Sequence, residues 1–223
     1  MSTAEKIKAI HDYIILNCAY DYDNFIHDTI PDDSYKAKGV FVNHTAVCQG
    51  YASAFKACMD ELSIPCKIVH GTATNSDNTT DGHAWNVVSI DDLWYHIDLT
   101  WDDPAPDVPG FARYSYFLVP DSVMSLDHQW EKSSYPICSA DSDSFVSLIG
   151  PICNNGDEIK NCLWEEYQNK AVCYPVIVPT LTVQSYKDIY PYKWKLEEER
   201  GIKLPDSVST ETYGSYTIYT FLN

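Results

Sequence analysis

Apolar residues recur at helical spacing in two stretches near the N-terminus. Apolar side chains at positions 7, 10, 14 and 15 predict an amphipathic helix over residues 3–18, with Ser2 or Thr3 as its N-cap. A second run of apolar positions, spaced by three and four, predicts a helix from Cys48 to about Leu62. The segment between these helices is polar and aromatic, and it allows one short helix near 33–42.

Gly50 stands inside the second predicted helix, where glycine costs about 1 kcal/mol relative to alanine. That cost calls for a compensating interaction. Either another backbone or a substrate approaches the helix closely at this position, or the helix packs tightly against a neighbouring strand. The sequence favours neither explanation over the other.

Period-two and β-rich patterns predict strands over 66–70, 83–90 and 93–100, the last two joined by Asp91-Asp92. A two-residue turn at this point pairs Val87 with His96 and places His83 and Asp98 on one face as diagonal neighbours. A three-residue turn would move Asp98 to the opposite face. The proximity of these two side chains therefore depends on the length of one turn.

The rest of the chain predicts a smaller α/β unit after a soft boundary near 135–145. We expect a strand at 114–118, irregular structure over 120–144, and then the following elements: a strand at 145–149, a helix at 156–169, a strand at 171–178, a helix at 182–200 that Pro191 kinks or interrupts, and a hairpin over 207–213 and 216–222. The predicted fold class is α+β, with a core over residues 1–138 and a small C-terminal α/β unit over 139–223 that packs on it or shapes a cleft.

Charge and composition narrow the range of partners. The 223 residues carry a formal net charge of -17, which disfavours nucleic acid and anionic membranes and favours solubility, or cationic or neutral substrates. No apolar run is long enough to span a bilayer and no leader pattern is present, so we expect a cytoplasmic protein, or else the excised domain of a secreted one. The eight cysteines include no C-x2-C pair, and we expect neither a metal nor a cofactor. A chain of this length needs no disulfides, and Cys58, Cys66 and Cys173 are interpreted as small buried hydrophobic residues.

Three residues form a candidate catalytic set. Cys48 is expected at a helix N-terminus, where the helix dipole lowers a thiol pKa and free N–H groups can face an oxyanion. His83 would take the thiol proton and return it to a leaving group, and Asp98 would hold the imidazole in the useful tautomer. Trp85 and Trp101 are expected to exclude water, whereas His96 is assigned to packing at the rim, and His11 and His128 show no partner pattern.

These residues lie in three blocks that resemble the transglutaminase-like superfamily in its bacterial-type form. The blocks are Val47-Cys48-Gln49-Gly50-Tyr51-Ala52, His83-Ala84-Trp85-Asn86 and Asp98-Leu99-Thr100-Trp101-Asp102, and the resemblance covers about residues 5–130. It implies a papain-like core in which a helix carrying the N-terminal cysteine packs on an antiparallel sheet. It also implies Cys48 as nucleophile, His83 as base and acid, and Asp98 as the orienting carboxylate. An upstream aromatic residue often assists the oxyanion in this family, and the candidates are Tyr20, Tyr22 and Tyr35, with Gln49 as a further lining residue.

The expected function is thiol-dependent acyl transfer on peptide or carboxamide bonds of a protein or peptide substrate. Release of the thioester by water would make the protein a protease or amidase, whereas release by a lysine amine would make it a transglutaminase. Hydrolysis is slightly favoured, because no sequence feature identifies a dedicated amine site. Two alternatives remain: a non-catalytic protein- or glycan-binding module on the same fold and, less favoured, a deglycosylating amidase.

Overall fold

The computed structural model describes residues 1–181, 183 and 185–222, and these residues form two compact units. The first unit comprises Met1–Val108 and Ser115–Asp141, and the second comprises Pro109–Tyr114 and Ser142–Asn223. The boundary expected at 138/139 and the small C-terminal unit over 139–223 stay predictions, because residues 109–114 join the second unit and residues 139–141 belong to the first. None of the helices among the described residues is long and apolar enough to cross a bilayer.

Two long helices dominate the helical part of the first unit. Its helices are α1 (Thr3–Asn17), α2 (Tyr22–Ile26), α3 (Cys48–Glu61), α4 (Leu99–Asp102) and α5 (Asp121–Met124). Ser2 caps α1 in a capping box, since its side chain accepts from the Glu5 N–H and the Glu5 carboxylate accepts from the Ser2 N–H. The two helices predicted in this region are confirmed. The single helix expected near 33–42 is wrong, because this segment forms a 3-10 turn over Asp32–Tyr35 and a π-helical turn over Gly39–Asn43.

The first unit contains a four-stranded antiparallel sheet and a separate pair of short strands. The strands of this unit are β1 (Ala19–Tyr20), β2 (Thr45–Ala46), β3 (Cys66–Thr74), β4 (Thr80–Ile90), β5 (Leu93–Ile97) and β6 (His128–Trp130). The sheet has the order β5-β4-β3-β6, and the short strands β1 and β2 pair in parallel away from it. Val87 pairs with His96, as predicted. Asp91 and Asp92 both have positive φ (51° and 65°), which is the backbone that a two-residue hairpin turn of type I′ requires.

Two strand predictions in this part of the chain are wrong: one strand ends early, and the other does not form. β5 stops at Ile97 instead of continuing to Thr100, because Asp98 is the N-cap of α4 and accepts the N–H groups of Thr100 and Trp101 at 3.0 and 3.2 Å. The strand expected at 114–118 is absent, and only Val119 bridges to His96. In both places, side-chain hydrogen bonds or turns satisfy backbone groups that a longer strand would have used.

Helix α3 packs against the sheet through its apolar face. Tyr51, Phe55 and Met59 are each at most 1% exposed, and the Asn86 amide of β4 donates to the Ala52 carbonyl at 3.1 Å. A Cβ on Gly50 would lie 2.3 Å from the Ser34 carbonyl oxygen. Close approach of another backbone therefore explains this glycine, and the approaching backbone belongs to the 3-10 turn and not to a strand.

The second unit is a three-stranded antiparallel sheet with helices. Its elements are α6 (Val146–Ile149), α7 (Gly156–Gln168), β7 (Cys173–Pro179), α8 (Tyr190–Arg200), β8 (Ser207–Tyr213) and β9 (Tyr216–Leu222), with strand order β7-β9-β8. The helix at 156–169, the strand after it and the final hairpin are confirmed. The strand expected at 145–149 is wrong, since these residues are helical.

Pro191 starts a helix and does not interrupt one. It lies in the first turn of α8, where its missing N–H would have had no intrahelical partner. The helix expected from 182 therefore begins at Tyr190, and positions 182 and 184 lie outside the described residues. The core of this unit is apolar and includes Leu163, Val176 and Phe221.

Candidate active site

His83 and Asp98 meet at one end of the β4–β5 hairpin. His83 Nε2 lies 2.6 Å from Asp98 Oδ2, and the two side chains are 7% and 1% exposed. Burial acts to lower the pKa of His83, but the charge of Asp98 and hydrogen bonds to Asp98 and Cys48 raise it to about 10. Burial acts to raise the pKa of Asp98, but the charge of His83 and the donated hydrogen bonds hold it well below its usual range. The pair is therefore an ionised carboxylate against a protonated imidazole.

Cys48 is the first residue of α3 and lies beside His83. Its thiol is half-buried, and its interaction with the His83 side chain acts to raise the pKa of that imidazole. Because Asp98 occupies Nε2, Nδ1 is the nitrogen left to face the thiol. Val47 at the N-cap provides no side-chain cap, so no side chain of the N-cap competes for the first N–H groups of the helix.

The three candidate tyrosines have different surroundings. The parallel pairing of β1 and β2 sets Tyr20 opposite Ala46, two residues before Cys48. Burial raises the pKa of the Tyr20 hydroxyl, and the neighbouring charge of Cys48 raises it further. Tyr22 and Tyr35 are 57% and 44% exposed. The charge of Tyr35 also raises the pKa of Tyr20.

A short network fixes the position of Tyr20 relative to Cys48. The Asp21 N–H donates to the Ala46 carbonyl at 2.9 Å, and the buried Ser34 hydroxyl donates to the Asp21 carboxylate at 2.7 Å. The Val47 N–H in turn donates to the Ser34 carbonyl at 3.0 Å. The same Ser34 carbonyl is the group that Gly50 accommodates. The tyrosine and the cysteine are thus held on one hydrogen-bonded framework.

The other three predicted lining residues have different surroundings. The Gln49 amide donates to the Ser53 hydroxyl one turn along α3 at 3.3 Å. Trp85 is 1% exposed and stacks on one face of the His83 imidazole, with ring centroids 5.8 Å apart. It is therefore too buried to line a cleft. Trp101 is half-buried, and its ring centroid is 6.0 Å from that of His83.

His128 is the residue near this site that the sequence did not identify. Its Nε2 lies 3.1 Å from Asp98 Oδ2, and its Nδ1 lies 2.6 Å from Asp127 Oδ1. It sits on β6 in a stretch that the sequence pattern describes only as irregular. No local pattern could have assigned it, because its partner Asp98 is thirty positions away, at the start of α4.

Two further histidines that lacked a partner pattern or were assigned to the rim are buried against carboxylates. His11 lies between Asp12 and Asp102, with its Nε2 3.2 Å from Asp102 Oδ2, and burial raises the pKa of Asp102 to about 6. His96 is completely buried beneath Trp85 and does not lie at a rim.

Two clusters in the described residues bring together three metal-ligating side chains. They are His83–Asp98–His128 and His96–Asp121–Cys138, with ligand atoms within 4.8 Å of one another. In the second cluster the indole of Trp85 donates to His96 Nδ1 at 2.9 Å, so Nε2 carries the ring proton and donates to Asp121. In the first, both Nε2 atoms face the same carboxylate oxygen. Both arrangements are those of hydrogen-bonded histidines.

Comparisons with known proteins agree with the family suggested by the sequence. Residues 1–99 match the profile of the transglutaminase-like superfamily. The mouse kyphoscoliosis peptidase is 23% identical over 140 residues, which is 57% of this chain and 21% of that protein. The chain thus spans about a fifth of the length of this curated relative.

Solved structures with related folds have low similarity scores. A transglutaminase is 22% identical (TM-score 0.37; 45% of this chain and 27% of that one), and a structure described as a putative cysteine protease from Cytophaga hutchinsonii is 25% identical (TM-score 0.36; 46% and 33%). An arylamine N-acetyltransferase from Bacillus cereus, described as having a Cys-His-Glu triad, is 16% identical (TM-score 0.36; 44% and 42%).

The α+β architecture, with α3 packed on an antiparallel sheet, is the one expected of a papain- or transglutaminase-like core. Residues 1–99, which contain Cys48, His83 and Asp98, are thus similar to the transglutaminase-like superfamily, and this match covers fewer than half of the 223 residues.

Proposed function

We propose that this protein is a thiol-dependent acyl-transfer enzyme that acts on peptide or carboxamide bonds, with water as the first acceptor to be tested. The observation that carries the proposal is the position of His83. Its Nε2 is held by Asp98 at 2.6 Å, and Cys48 at the start of α3 is near enough to act on the pKa of the imidazole. A nucleophile, a base and an orienting carboxylate in this arrangement suit covalent acyl chemistry.

In the proposed reaction the Cys48 thiolate attacks the substrate carbonyl carbon. The N–H of Cys48 and the Tyr20 hydroxyl are the proposed donors to the oxyanion that forms. The protonated His83 then gives its Nδ1 proton to the leaving amine as the C–N bond breaks, which leaves a thioester on Cys48. Water, deprotonated by His83, attacks the thioester and releases a carboxylic acid and the thiol. Asp98 stays ionised throughout and keeps Nε2–H in place.

Site-resolved alkylation by iodoacetamide tests the nucleophile without a known substrate. We expect Cys48 to be alkylated fastest at pH 6, where an ordinary thiol with a pKa near 8.5 reacts slowly. Cys58 is the matched control, because it lies on the same helix and is also half-buried, and burial raises its pKa. If Cys48 reacts no faster than Cys58 at pH 6, the proposed nucleophile is wrong.

A peptide-library assay in heavy-oxygen water tests the acyl acceptor. Hydrolysis places one heavy oxygen in each new carboxylate, whereas transfer to an added fluorescent primary amine labels the acyl donor. We expect heavy oxygen to be incorporated by the wild type and by Cys58→Ala, and not by Cys48→Ala. Amine labelling without heavy oxygen would identify a transglutaminase. An active Cys48→Ala variant would contradict the proposal.

A further inference from the structure

Asp98 serves two histidines with one carboxylate oxygen. Its Oδ2 faces Nε2 of His83 at 2.6 Å and Nε2 of His128 at 3.1 Å. Its Oδ1 accepts the N–H groups of Thr100 and Trp101. Four N–H donors therefore converge on a side chain that is 1% exposed, which favours its ionised form.

The far side of His128 also faces a carboxylate. Nδ1 lies 2.6 Å from Asp127 Oδ1, and Asp127 Oδ2 accepts the Tyr116 hydroxyl at 2.6 Å. His128 therefore lies between two carboxylates, with Nε2 facing Asp98 and Nδ1 facing Asp127.

His128 is fixed in place and cannot contact a substrate. It is 1% exposed, pairs through β6 with Ala73 of β3, and packs against Trp101 and Trp85 with ring centroids 4.5 and 5.1 Å away. The group it touches is the carboxylate that orients the imidazole beside Cys48.

We propose that His128 is a positioning residue that holds Asp98 aimed at His83 Nε2, an inference that rests on the proposed function of Cys48, His83 and Asp98. Its loss would remove one hydrogen-bond partner from the Asp98 carboxylate. The carboxylate would then hold the His83 imidazole less firmly, and this imidazole would stabilise a thiolate on Cys48 less well. The titratable and charged groups that face His128 are Asp98, Asp127, His83, His96 and Tyr116.

The test is the pH profile of Cys48 alkylation by iodoacetamide in wild type, His128→Gln and Asp127→Asn. His70→Gln is the control, because this exposed histidine lies on the neighbouring strand β3. We expect both site variants to be alkylated about 10-fold more slowly at pH 6, with the midpoint of the profile moved to higher pH, as losses of supporting hydrogen bonds typically produce. The control should match wild type.

A folded His128→Gln variant with the wild-type profile would overturn the inference. If His128→Gln does not fold, Asp127→Asn decides, because it leaves the histidine in place and removes its second carboxylate. A wild-type Cys48 that lacks fast alkylation at pH 6 contradicts the proposed function itself. Fast wild-type alkylation with unchanged variants contradicts only the role of His128.

A second inference concerns two cysteines within the second unit. The sulfur atoms of Cys153 and Cys162 lie 2.7 Å apart, well inside the nonbonded contact distance of two sulfurs. Cys153 is buried just before α7 and its N–H donates to the Ile177 carbonyl, while Cys162 lies within α7 and is partly exposed. A hydrogen bond joins the two thiols, and it lowers the pKa of Cys162 and raises that of Cys153.

We infer that Cys153 and Cys162 form a disulfide when a small-molecule disulfide such as oxidised glutathione is present. The Cys162 thiolate attacks one sulfur of the oxidant and releases one glutathione thiolate, leaving a mixed disulfide. The Cys153 sulfur then attacks the Cys162 sulfur, loses its proton, and displaces the second glutathione. Two thiols of the protein are oxidised and one oxidised glutathione is reduced to two thiols.

Peptide mapping after treatment with oxidised glutathione tests this inference. We expect wild type to give a Cys153–Cys162 crosslinked peptide with two hydrogens fewer than the reduced pair. In Cys153→Ser, glutathione should remain attached to Cys162, because the attacking second thiol is missing. A stable glutathione adduct on Cys162 in wild type, or two unmodified thiols, would overturn the inference.

Discussion

The two units of this protein bury charge in different amounts. All seven histidines lie in the first unit, and His11, His96 and His128 are buried there beside Asp12, Asp121 and Asp127. In the described part of the second unit the buried charged side chains are Lys193 and Glu211, beside a core that is otherwise apolar. Each unit packs helices against a sheet, and among the described residues the buried His–Asp pairs all lie in the first unit.

The difference indicates that burial of charged side chains lowers the stability of the first unit more than that of the second. An apolar core stabilises a unit without any requirement for paired partners, whereas each buried charge needs a counter-charge and hydrogen bonds to be tolerated. The pairs of the first unit lie around Asp98 and the adjoining residues, and perturbed groups of this kind cluster at functional sites. The predictions below test whether chemistry and stability separate between the two units in this way.

The largest expected effect is the loss of activity in His83→Gln. Glutamine can still accept a hydrogen bond, but it cannot hold and return a proton, so we expect hydrolysis of the best library peptide to fall about 10³-fold or more. The measurement is kcat/KM with that peptide, and His70→Gln is the matched control on the surface of the same sheet. Equal rates for the two variants would show that His83 has no role in the reaction, and the first unit would then not differ from the second in chemistry.

A smaller effect is expected from Gly50→Ala, which tests the framework of the site. The added Cβ would lie 2.3 Å from the Ser34 carbonyl, and overpacking by about 3 kcal/mol outweighs the gain of about 1 kcal/mol in helix propensity. We expect a net loss of about 2 kcal/mol in urea unfolding. Gly82→Ala is the control, because no atom lies within 4 Å of its Cβ position, and it should be nearly neutral. A neutral Gly50→Ala would contradict the close backbone approach.

The second unit should respond in stability and not in chemistry. Lys193 is completely buried and pairs with Glu197 at 3.1 Å and Asp206 at 2.8 Å. Lys193→Met leaves Glu197 poorly compensated, while the exposed Asp206 is hydrated again, so we expect a loss of about 1–2 kcal/mol by thermal unfolding. Lys195→Met, at an exposed position of the same helix, should change little. If Lys193→Met slowed the alkylation of Cys48 in the folded protein, the second unit would affect the chemistry of the first, and the proposed separation of stability from chemistry would be wrong.

A further expected effect is a pH-dependent contribution to stability from His83. Its pKa is raised from 6.5 to about 10, so the folded state holds the proton more tightly than the unfolded state. The stabilisation is fully present below pH 6.5 and is lost as the pH rises toward 10. We therefore expect the Tm difference between wild type and His83→Gln to shrink over this range. A difference that stays constant with pH would show that His83 stabilises through packing alone.

Much of the candidate site follows from local sequence rules. The spacing of apolar residues predicts the helix that starts at Cys48, and the turn at Asp91-Asp92 predicts the register that aligns His83 with Asp98. Both rules act over a few residues, because helical and strand periods and turn geometry are properties of neighbouring positions. The register prediction is confirmed even though β5 ends three residues early.

Two features that the sequence analysis missed have different causes. Cys153 and Cys162 are neighbours only because α7 packs against the loop before it. The strand predicted at 145–149 fails because its apolar run is equally compatible with a buried helix, and periodicity does not separate the two in a short segment.

By itself, the sequence determined the helix that begins at Cys48, the hairpin register, and the resemblance to the transglutaminase-like superfamily. Only the tertiary structure decided that Tyr20 pairs with Ala46 near Cys48, that the Ser34 backbone requires Gly50, and that His128 shares Asp98 with His83. The physical reason is that backbone periodicity and turns are local, whereas the pairing of buried charges is set by which distant strands become neighbours in the folded chain.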